Sequence, residues 1–319
     1  VEAGHEVVVH VDRGPLLLGA TDEELARFLG AHFPEVGARF VLDRDFGPSD
    51  AAIATSWTTA SAVAHAPSAR SRLYFVQDFE PAFTAADAQY GLVEQTYRFG
   101  FTGLCNTRGV ADAYRTYGNE AIEFTPAVDR TVFAPVERDD TGPVRIVFYG
   151  RPANPRNGFG LGVRALAEVK RRYGERVEIV SVGAAFAEGA YGLEQVLTNK
   201  GVLPNLEAVA DEYAHSDIGL VFMFTKHPSY QPLEYMASGC ATVTNLNEAN
   251  DWLFRDRGNA LLVAPTVSSV ADAIGRLIDD PALRTSIRKA GLGTVADFDW
   301  PTELDLIVEG MLEHRGGAT

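Results

Sequence analysis

The sequence predicts an α/β protein made of two Rossmann-like, doubly wound halves. Short runs rich in β-branched and aromatic residues alternate with helical stretches along the chain. That order is typical of parallel sheets covered by helices on both faces. The alternation stops once, at a stretch rich in Pro, Asp and Glu that has no periodicity, and then starts again. A chain of 319 residues is long enough for two such domains.

In the first half, strands are predicted near residues 6–10, 39–42, 51–55, 73–76, 103–105 and 121–124. Helices are predicted between them, for example at 21–30, 58–65 and 109–117. The first of these strands begins almost at residue 1, whereas a doubly wound domain normally has an earlier strand, loop and helix. We therefore expect the sequence to begin inside the domain.

The stretch 132–142 is interpreted as a linker. Strands follow at 144–149, 177–182, 218–222, 241–244 and 260–263, with helices at 158–173, 206–215, 231–238, 267–279, 281–290 and 301–314. The predicted division is an N-terminal domain at 1–131, a linker at 132–142, a C-terminal domain at 143–296, and a final helical segment at 297–319 that could pack back on the first domain.

Composition limits the kind of protein. The net charge of −15 argues against nucleic acid as a partner, although a nucleotide needs only a few well-placed cations. No uninterrupted apolar run is long enough to span a bilayer, and no signal peptide is visible. The two cysteines cannot form a disulfide framework. These features predict a cytoplasmic protein, with peripheral contact at the inner face of a membrane left open.

The first candidate site follows strand 144–149. Gly150 and Arg151 lead through a short loop to Arg156 and Asn157, near which a helix should begin. The carboxyl end of a strand next to a helix N-terminus favours anions, and guanidinium groups match phosphate geometry. We expect a diphosphate site here; a solvated loop with two surface arginines is the alternative.

The second candidate site lies in residues 226–239. Glu234 falls early in helix 231–238, where the helix dipole stabilises a carboxylate that could accept two ribose hydroxyls. A first-turn glutamate is also common without any ligand. The turn at 245–250 should expose amides that a phosphate or sugar could meet, although an ordinary Asn-rich turn explains it equally well.

A third group follows strand 73–76 and comprises Gln77, Asp78, Phe79 and Glu80. Ligands in open α/β sheets bind outside the carboxyl ends of the strands, so we expect these residues to face a ligand. Asp78 could accept a hydroxyl proton or orient a sugar, or it could only cap a helix.

Metal-binding carboxylate pairs are not expected. The adjacent pairs at 139–140 and 279–280 lie in the linker and between two late helices, and both should be solvated. The sequence therefore predicts neither a metal ion nor another cofactor.

Four motifs, in this order along the chain, resemble the retaining GT-B glycosyltransferase family. Residues 128–135 resemble its linker signature Val-Asp-x-x-x-Phe-x-Pro, and 150–156 resemble Gly-Arg-x-x-x-x-Lys with Arg in place of Lys. Residues 213–217 resemble Tyr-Ala-x-x-Asp, and 232–239 resemble Pro-Leu-Glu-Ala-Met-Ala-x-Gly. The resemblance covers nearly the whole chain.

The resemblance implies a GT-B fold, in which two Rossmann-like domains face an interdomain cleft. It implies transfer of a sugar from a nucleotide diphosphate to a saccharide or lipid-linked saccharide, with retention and without a metal. The C-terminal domain would hold the donor, with its diphosphate at Gly150, Arg151, Arg156 and Asn157 and its ribose at Glu234. The N-terminal domain would present the acceptor near residues 77–80, with Asp78 as the catalytic candidate.

One departure concerns the donor sugar. The family usually has a second Glu eight positions before the one at Glu234, and this chain has Lys226 there. Residues 227–230, together with 74–81, resemble bacterial rhamnosyltransferases of cell-surface and S-layer glycan assembly, which use dTDP-β-L-rhamnose. The residues expected near the donor sugar are Lys226, His227, Ser229, Tyr230 and Gln231.

Two alternatives stay open. A GT-B-shaped nucleotide-sugar epimerase would bind the same donor without an acceptor, and a non-catalytic module would bind a nucleotide or sugar without turnover. A nicotinamide dehydrogenase is disfavoured, because no strand is followed by a G-x-G-x-x-G turn.

Overall fold

The computed structural model describes residues 4–11, 21–33, 38–41, 46–66, 68–138 and 141–313. Contacts divide the chain into two compact units, and the ranges that follow apply to their described parts. The first unit comprises Val1–Cys105, Ala111–Ile122 and Val308–Thr319, and the second comprises Asn106–Val110 and Glu123–Ile307. This division differs from the predicted boundaries, because it places residues 106–110, residues 123–131 and the beginning of the last helix in the second unit.

The elements of the first half follow the predicted alternation. Strands are β1 (Val8–His10), β2 (Arg39–Val41), β3 (Ser49–Ala54), β4 (Ala69–Val76), β5 (Thr102–Asn106) and β6 (Ala121–Phe124); helices are α1 (Asp22–His32), α2 (Trp57–Ala64), α3 (Ala88–Thr96) and α4 (Arg108–Arg115). β1 and β2 form a parallel pair, and the other four strands form a sheet in the order β3-β4-β5-β6. All six predicted strands are present; the last residue of the predicted strand 39–42 lies outside the described residues.

Local signals explain where these helices begin. Thr21 caps α1, since its side chain accepts from the Glu24 N–H and the Glu24 carboxylate accepts from the Thr21 N–H at 2.8 Å. Helix α3 was not among the helices located by number in the sequence, and it buries only Val93 and Thr96, so it lacks a clear apolar stripe. Its start is fixed by Asp87, whose carboxylate accepts backbone N–H groups of the first turn.

The second half contains one six-stranded sheet. Its strands are β7 (Val144–Tyr149), β8 (Val177–Val182), β9 (Thr198–Asn199), β10 (Ile218–Leu220), β11 (Ala241–Asn245) and β12 (Leu261–Val263). Its helices are α5 (Phe159–Tyr173), α6 (Leu206–Ala214), α7 (Gln231–Ala237), α8 (Val267–Asp279), α9 (Pro281–Val295) and α10 (Trp300–Glu313). The sheet order is β12-β11-β10-β7-β8-β9, with every neighbouring pair parallel.

Helices cover both faces of this sheet. Along β7, Ile146 and Phe148 pack in one apolar cluster with residues of α5 and α8, whereas Val147 packs in the other with residues of α6 and α7. This alternation follows from the two-residue period of a strand. Each fully buried aliphatic or aromatic side chain contributes roughly 2 kcal/mol of burial free energy. The predicted doubly wound α/β class is confirmed.

Some helix and strand ends differ from the prediction. Helix α9 was predicted to end at residue 290 but continues to Val295. At Gly291 a side chain would come within 3.0 Å of Met236, so glycine permits close packing there instead of ending the helix. The predicted strand 218–222 pairs only through Leu220, and the chain then turns into the loop before α7.

The segment predicted as a linker has no regular structure in its described part, but it is anchored to the second unit. Phe133 is buried and stacks on Tyr213, with ring centroids 6.1 Å apart. The guanidinium group of Arg138 donates to the carbonyls of Ser216 and Gly239. Among the described residues, no helix has the length and apolar character needed to cross a membrane.

Candidate functional site

The loop after β7 begins at a residue that must be glycine. Gly150 donates its N–H to the Val182 carbonyl at 2.8 Å, and a Cβ at this position would lie 2.3 Å from the Ser181 Oγ. Arg151 follows, partly buried, with its guanidinium 5.7 Å from the Tyr149 ring centroid and 3.2 Å from the Tyr149 hydroxyl. Tyr149 therefore holds Arg151, the first of the two arginines predicted to bind the diphosphate, at the carboxyl end of β7.

Arg156 and Asn157 lie in a short 3₁₀ turn at Pro155–Asn157, not in the first turn of a helix. The helix predicted to begin near Asn157 is present as α5, which starts at Phe159 with the left-handed Gly158 (φ 62°) as its N-cap. Asn157 is buried, and its Oδ1 has no hydrogen-bond partner among the described residues. The two predicted arginines and this amide therefore lie on one loop.

The order of strands places a second loop beside the first. From β7 the chain proceeds to β8 on one side, and β10 lies on the other side, so the strand order reverses between β7 and β10. Ligands of open α/β sheets bind at the carboxyl ends of strands at such a reversal. The loops at 150–158 and 221–230 both leave this edge, and the Asn157 Nδ2 lies 3.8 Å from the Met223 Sδ.

The loop before α7 is mostly buried and has an unusual backbone. Ser229 has a φ of 69°, a left-handed conformation that costs energy for a residue with a Cβ. Its N–H donates to the His227 Nδ1 at 2.9 Å, and its hydroxyl bonds the Gln231 side chain. Burial lowers the pKa of His227 to about 3, so this imidazole is neutral at physiological pH. Lys226 is exposed.

Asn245, the last residue of β11, and Asn247, two positions later, brace the loop before α7. Asn245 accepts from the Met223 N–H at 2.8 Å and donates to the Met223 carbonyl at 2.9 Å. Asn247 donates to the Thr225 carbonyl at 2.6 Å. The prediction that the turn 245–250 exposes its amides was wrong for these residues, because the loop before α7 leaves backbone groups that need partners. Their side chains support the loop.

Glu234 lies in the first turn of α7, which packs tightly on the sheet. A Cβ on Gly219 of β10 would lie 2.4 Å from the Tyr235 ring, so glycine allows the helix this close. Burial raises the pKa of Glu234 to about 7. Among the described residues, no side chain hydrogen-bonds or pairs with this carboxylate. A partly buried carboxylate without a donor is costly, and hydroxyl donors from a ligand would satisfy it.

The predicted acceptor-side residues lie in the first unit, after β4. Gln77 is exposed and Asp78 is buried, with the Asp78 Oδ1 accepting from the Phe79 N–H at 2.7 Å. Tyr97 fixes the backbone: its hydroxyl donates to the Asp78 carbonyl and accepts from the Glu80 N–H, both at 3.0 Å. The loop is therefore held rigidly at the end of the strand.

Glu80 has internal partners. Its carboxylate accepts from the Trp57 N–H at 2.9 Å, at the start of α2, and from the Tyr74 hydroxyl. Burial raises the pKa of Glu80. Because both contacts connect elements of the same unit, this carboxylate is the least suited of the four predicted residues to meet an acceptor.

No metal centre is evident in the described residues: they contain no group of three or more His, Cys, Asp or Glu side chains placed to hold an ion. Asp279 is bonded to the Tyr173 hydroxyl at 2.6 Å and to Arg176, and Asp280 caps α9. The other carboxylate pair considered above, at 139–140, lies outside the described residues.

Known proteins resemble this chain in sequence. Residues 144–275 match the family model described as the C-terminal domain of WsaF. The O-antigen biosynthesis protein RfbC of Myxococcus xanthus is 45% identical over 264 residues, a match that spans 82% of this chain and 21% of that protein. The chain thus spans about a fifth of the length of this curated relative.

Solved structures resemble it in fold. Anabaena HepE, determined in complex with UDP and glucose, has a TM-score of 0.68 at 17% identity and covers 82% of this chain and 77% of its own. A glycosyltransferase from Rickettsia africae has a TM-score of 0.67 at 13% identity, covering 99% of this chain and 92% of its own. The fold is that of the GT-B glycosyltransferases.

Tyr149 is a site residue that the sequence interpretation missed. Its ring and hydroxyl both contact Arg151, two positions later. An aromatic residue at the last position of a buried strand, with an arginine after the following glycine, is the signal that could have indicated it.

Proposed function

We propose that the chain is a glycosyltransferase that moves a sugar from a nucleotide diphosphate to a saccharide acceptor during glycan assembly. The observation that carries this proposal is the set of groups at the strand reversal of the second unit. Two arginines follow β7, and an unpaired, partly buried carboxylate at Glu234 lies in the first turn of the helix after β10. Cations and a hydroxyl acceptor are what the diphosphate and the ribose of such a donor need.

The chemical step requires charge stabilisation at the leaving group. The bond between the anomeric carbon and the diphosphate breaks, and negative charge accumulates on the diphosphate oxygens. Arg151 and Arg156 would stabilise that charge in place of a divalent metal. Their permanent charge supports a metal-independent reaction, in which the sugar keeps its anomeric configuration as the family resemblance implies.

The proposed donor is dTDP-β-L-rhamnose. The resemblance of residues 227–230 and 74–81 to bacterial rhamnosyltransferases favours it over other nucleotide-sugars, as does Lys226 at the position where the family usually has Glu. Asp78 would orient the acceptor hydroxyl, and a lipid-linked saccharide at a membrane surface is compatible with this assignment. Full transfer activity in Asp78→Ala would exclude that role.

The test has a binding arm and a turnover arm. Thermal shifts are measured with dTDP, UDP, GDP and their sugars, since a ligand that binds the native state raises the apparent stability. The selected donor is then incubated with a rhamnoside or lipid-linked acceptor. We expect dTDP-L-rhamnose to give the largest shift and to yield a glycosylated product.

The other outcomes would favour a different function for this chain. Conversion of the donor sugar to its epimer without any acceptor would favour the epimerase. Binding without turnover, in this chain and in a version extended to the length of its relatives, would favour the binding module. Absence of any nucleotide-dependent shift would contradict the proposal.

A further inference from the structure

Asn106, the last residue of β5, has an amide that is only half satisfied. The residue is fully buried, and its Nδ2 donates to the Tyr230 hydroxyl at 2.6 Å. Its Oδ1 is buried without a hydrogen-bond partner among the described residues. An amide in this state is costly, so its retention at this position requires a reason.

The backbone at Thr107, directly after Asn106, has a strained conformation that hydrogen bonds hold in place. Thr107 has a φ of 97°, which a residue with a Cβ rarely adopts. Its N–H donates to the Phe124 carbonyl at 2.8 Å, and its Oγ1 accepts from the Val110 N–H at 3.3 Å. Strain that is held by surrounding bonds is found disproportionately at functional sites.

The segment Asn106–Val110 groups with the second unit and packs closely on its loops. A Cβ at Gly109 would lie 3.2 Å from the Ala249 carbonyl oxygen and 3.5 Å from that of Lys226. Asn106 therefore reaches Tyr230 from a segment that already contacts the loop before α7.

Tyr230 keeps a hydrogen to donate. The Asn106 amide donates to the phenol oxygen, and no described residue accepts the phenol hydrogen. The ring lies beside His227 and Trp300, with centroids 5.2 and 6.0 Å away. Burial raises the pKa of Tyr230, so the phenol stays protonated. The result is a partly buried, neutral hydrogen-bond donor in a fixed position.

We propose that Asn106 is a positioning residue for the donor sugar: it holds Tyr230 so that the phenol donates to a hydroxyl oxygen of that sugar. This inference rests on the proposed function and extends it to the sugar end of the donor. The donor sugar is the expected acceptor of the phenol hydrogen. The Tyr230 carbonyl accepts from the Glu234 N–H at 3.0 Å, so Tyr230 lies one helical turn from Glu234, whose carboxylate is proposed to bind the ribose.

The test compares a sugar nucleotide with its bare nucleotide. Affinities of the full chain for dTDP-L-rhamnose and dTDP, and for UDP-glucose and UDP, are measured by calorimetry in wild type, Asn106→Ala, Tyr230→Phe and the double variant. We expect Tyr230→Phe to weaken the preferred nucleotide-sugar about five- to tenfold, the value of one neutral hydrogen bond, and to leave the bare nucleotide unchanged. Asn106→Ala should show the same selective loss.

The double variant tests whether Asn106 acts through Tyr230. We expect it to lose no more than the larger single loss, because residues that act as a unit are not additive. Asn106→Asp has the same shape but accepts the phenol hydrogen instead of donating to the oxygen, so it should behave like Asn106→Ala. Tyr90→Phe, on the partly exposed face of α3, is the control variant.

Three outcomes would overturn the inference. These are equal losses for nucleotide-sugar and bare nucleotide, additive losses in the double variant, and wild-type selectivity in a folded Asn106→Asp protein. Failure of wild type to bind any of the four ligands would instead overturn the proposed function, and this inference with it.

Discussion

Replacement of Glu234 by Gln should make the protein more stable above neutral pH while removing part of its ligand site. Burial raises the pKa of Glu234 to about 7 from a usual 4.5. The unfolded chain therefore releases this proton at lower pH than the folded chain does. The stability associated with the neutral carboxyl is present below about pH 4.5 and is lost as pH rises through about 7.

The magnitude follows from the pKa difference. A shift from 4.5 to about 7 corresponds to roughly 3 kcal/mol, because one pKa unit is about 1.4 kcal/mol. Gln resembles the neutral carboxyl and does not titrate. Glu234→Gln should exceed wild type by up to about 3 kcal/mol near pH 8, and by less than about 1 kcal/mol near pH 5.

The assay is urea unfolding of wild type and variant at the two pH values, which isolates this group because all other titrating groups are shared. Glu207→Gln is the matched control, since Glu207 is an exposed glutamate in the first turn of α6. It should show no such pH-dependent gain. A Glu234→Gln protein that gains no stability near pH 8 would refute the reasoning that this carboxylate is desolvated without a partner.

Three further predictions concern the diphosphate, the metal and the first unit. Arg151→Ala and Arg156→Ala should each weaken dTDP or UDP binding in calorimetry by about tenfold or more, the loss of a charge-assisted bond, whereas Arg171→Ala on the exposed face of α5 should not. Transfer activity should survive EDTA; a loss that Mg²⁺ restores would contradict the role given to the arginines. Tyr97→Phe should lower the free energy of unfolding by about 1–3 kcal/mol in urea titrations, because the Glu80 N–H loses its buried acceptor; unchanged stability would refute this.

The sheet, and the strand ends from which the candidate site residues follow, could be predicted from sequence because they depend on local patterns. Runs rich in apolar residues marked β7 and β10, and the loops that follow these two strands placed Arg151 and Glu234 at one edge of the sheet. Parallel strands bring such ends together whatever the detailed packing.

Features that depend on distant partners could not be predicted. The contact between Asn106 and Tyr230 joins residues 124 positions apart, and neither residue is unusual in its local sequence. Asn245 and Asn247 suggested an exposed turn, but their partners are backbone groups of a loop about twenty positions earlier. The left-handed Gly158 separates the 3₁₀ turn at 155–157 from α5, and a side chain there would come 3.0 Å from the Phe224 ring in the loop before α7.

The central claim is that Glu234 binds the nucleotide of the donor through its ribose or deoxyribose. A thermodynamic cycle that removes the Glu234 side chain and the 3′-hydroxyl of the nucleotide tests it most directly. Calorimetry would compare dTDP with 2′,3′-dideoxythymidine diphosphate, and UDP with 3′-deoxyuridine diphosphate, in wild type and in Glu234→Ala. We expect wild type to prefer the nucleotide with the 3′-hydroxyl by roughly tenfold or more, and the variant to lose that preference. A preference that persists unchanged in Glu234→Ala would contradict the assignment of this carboxylate to the donor.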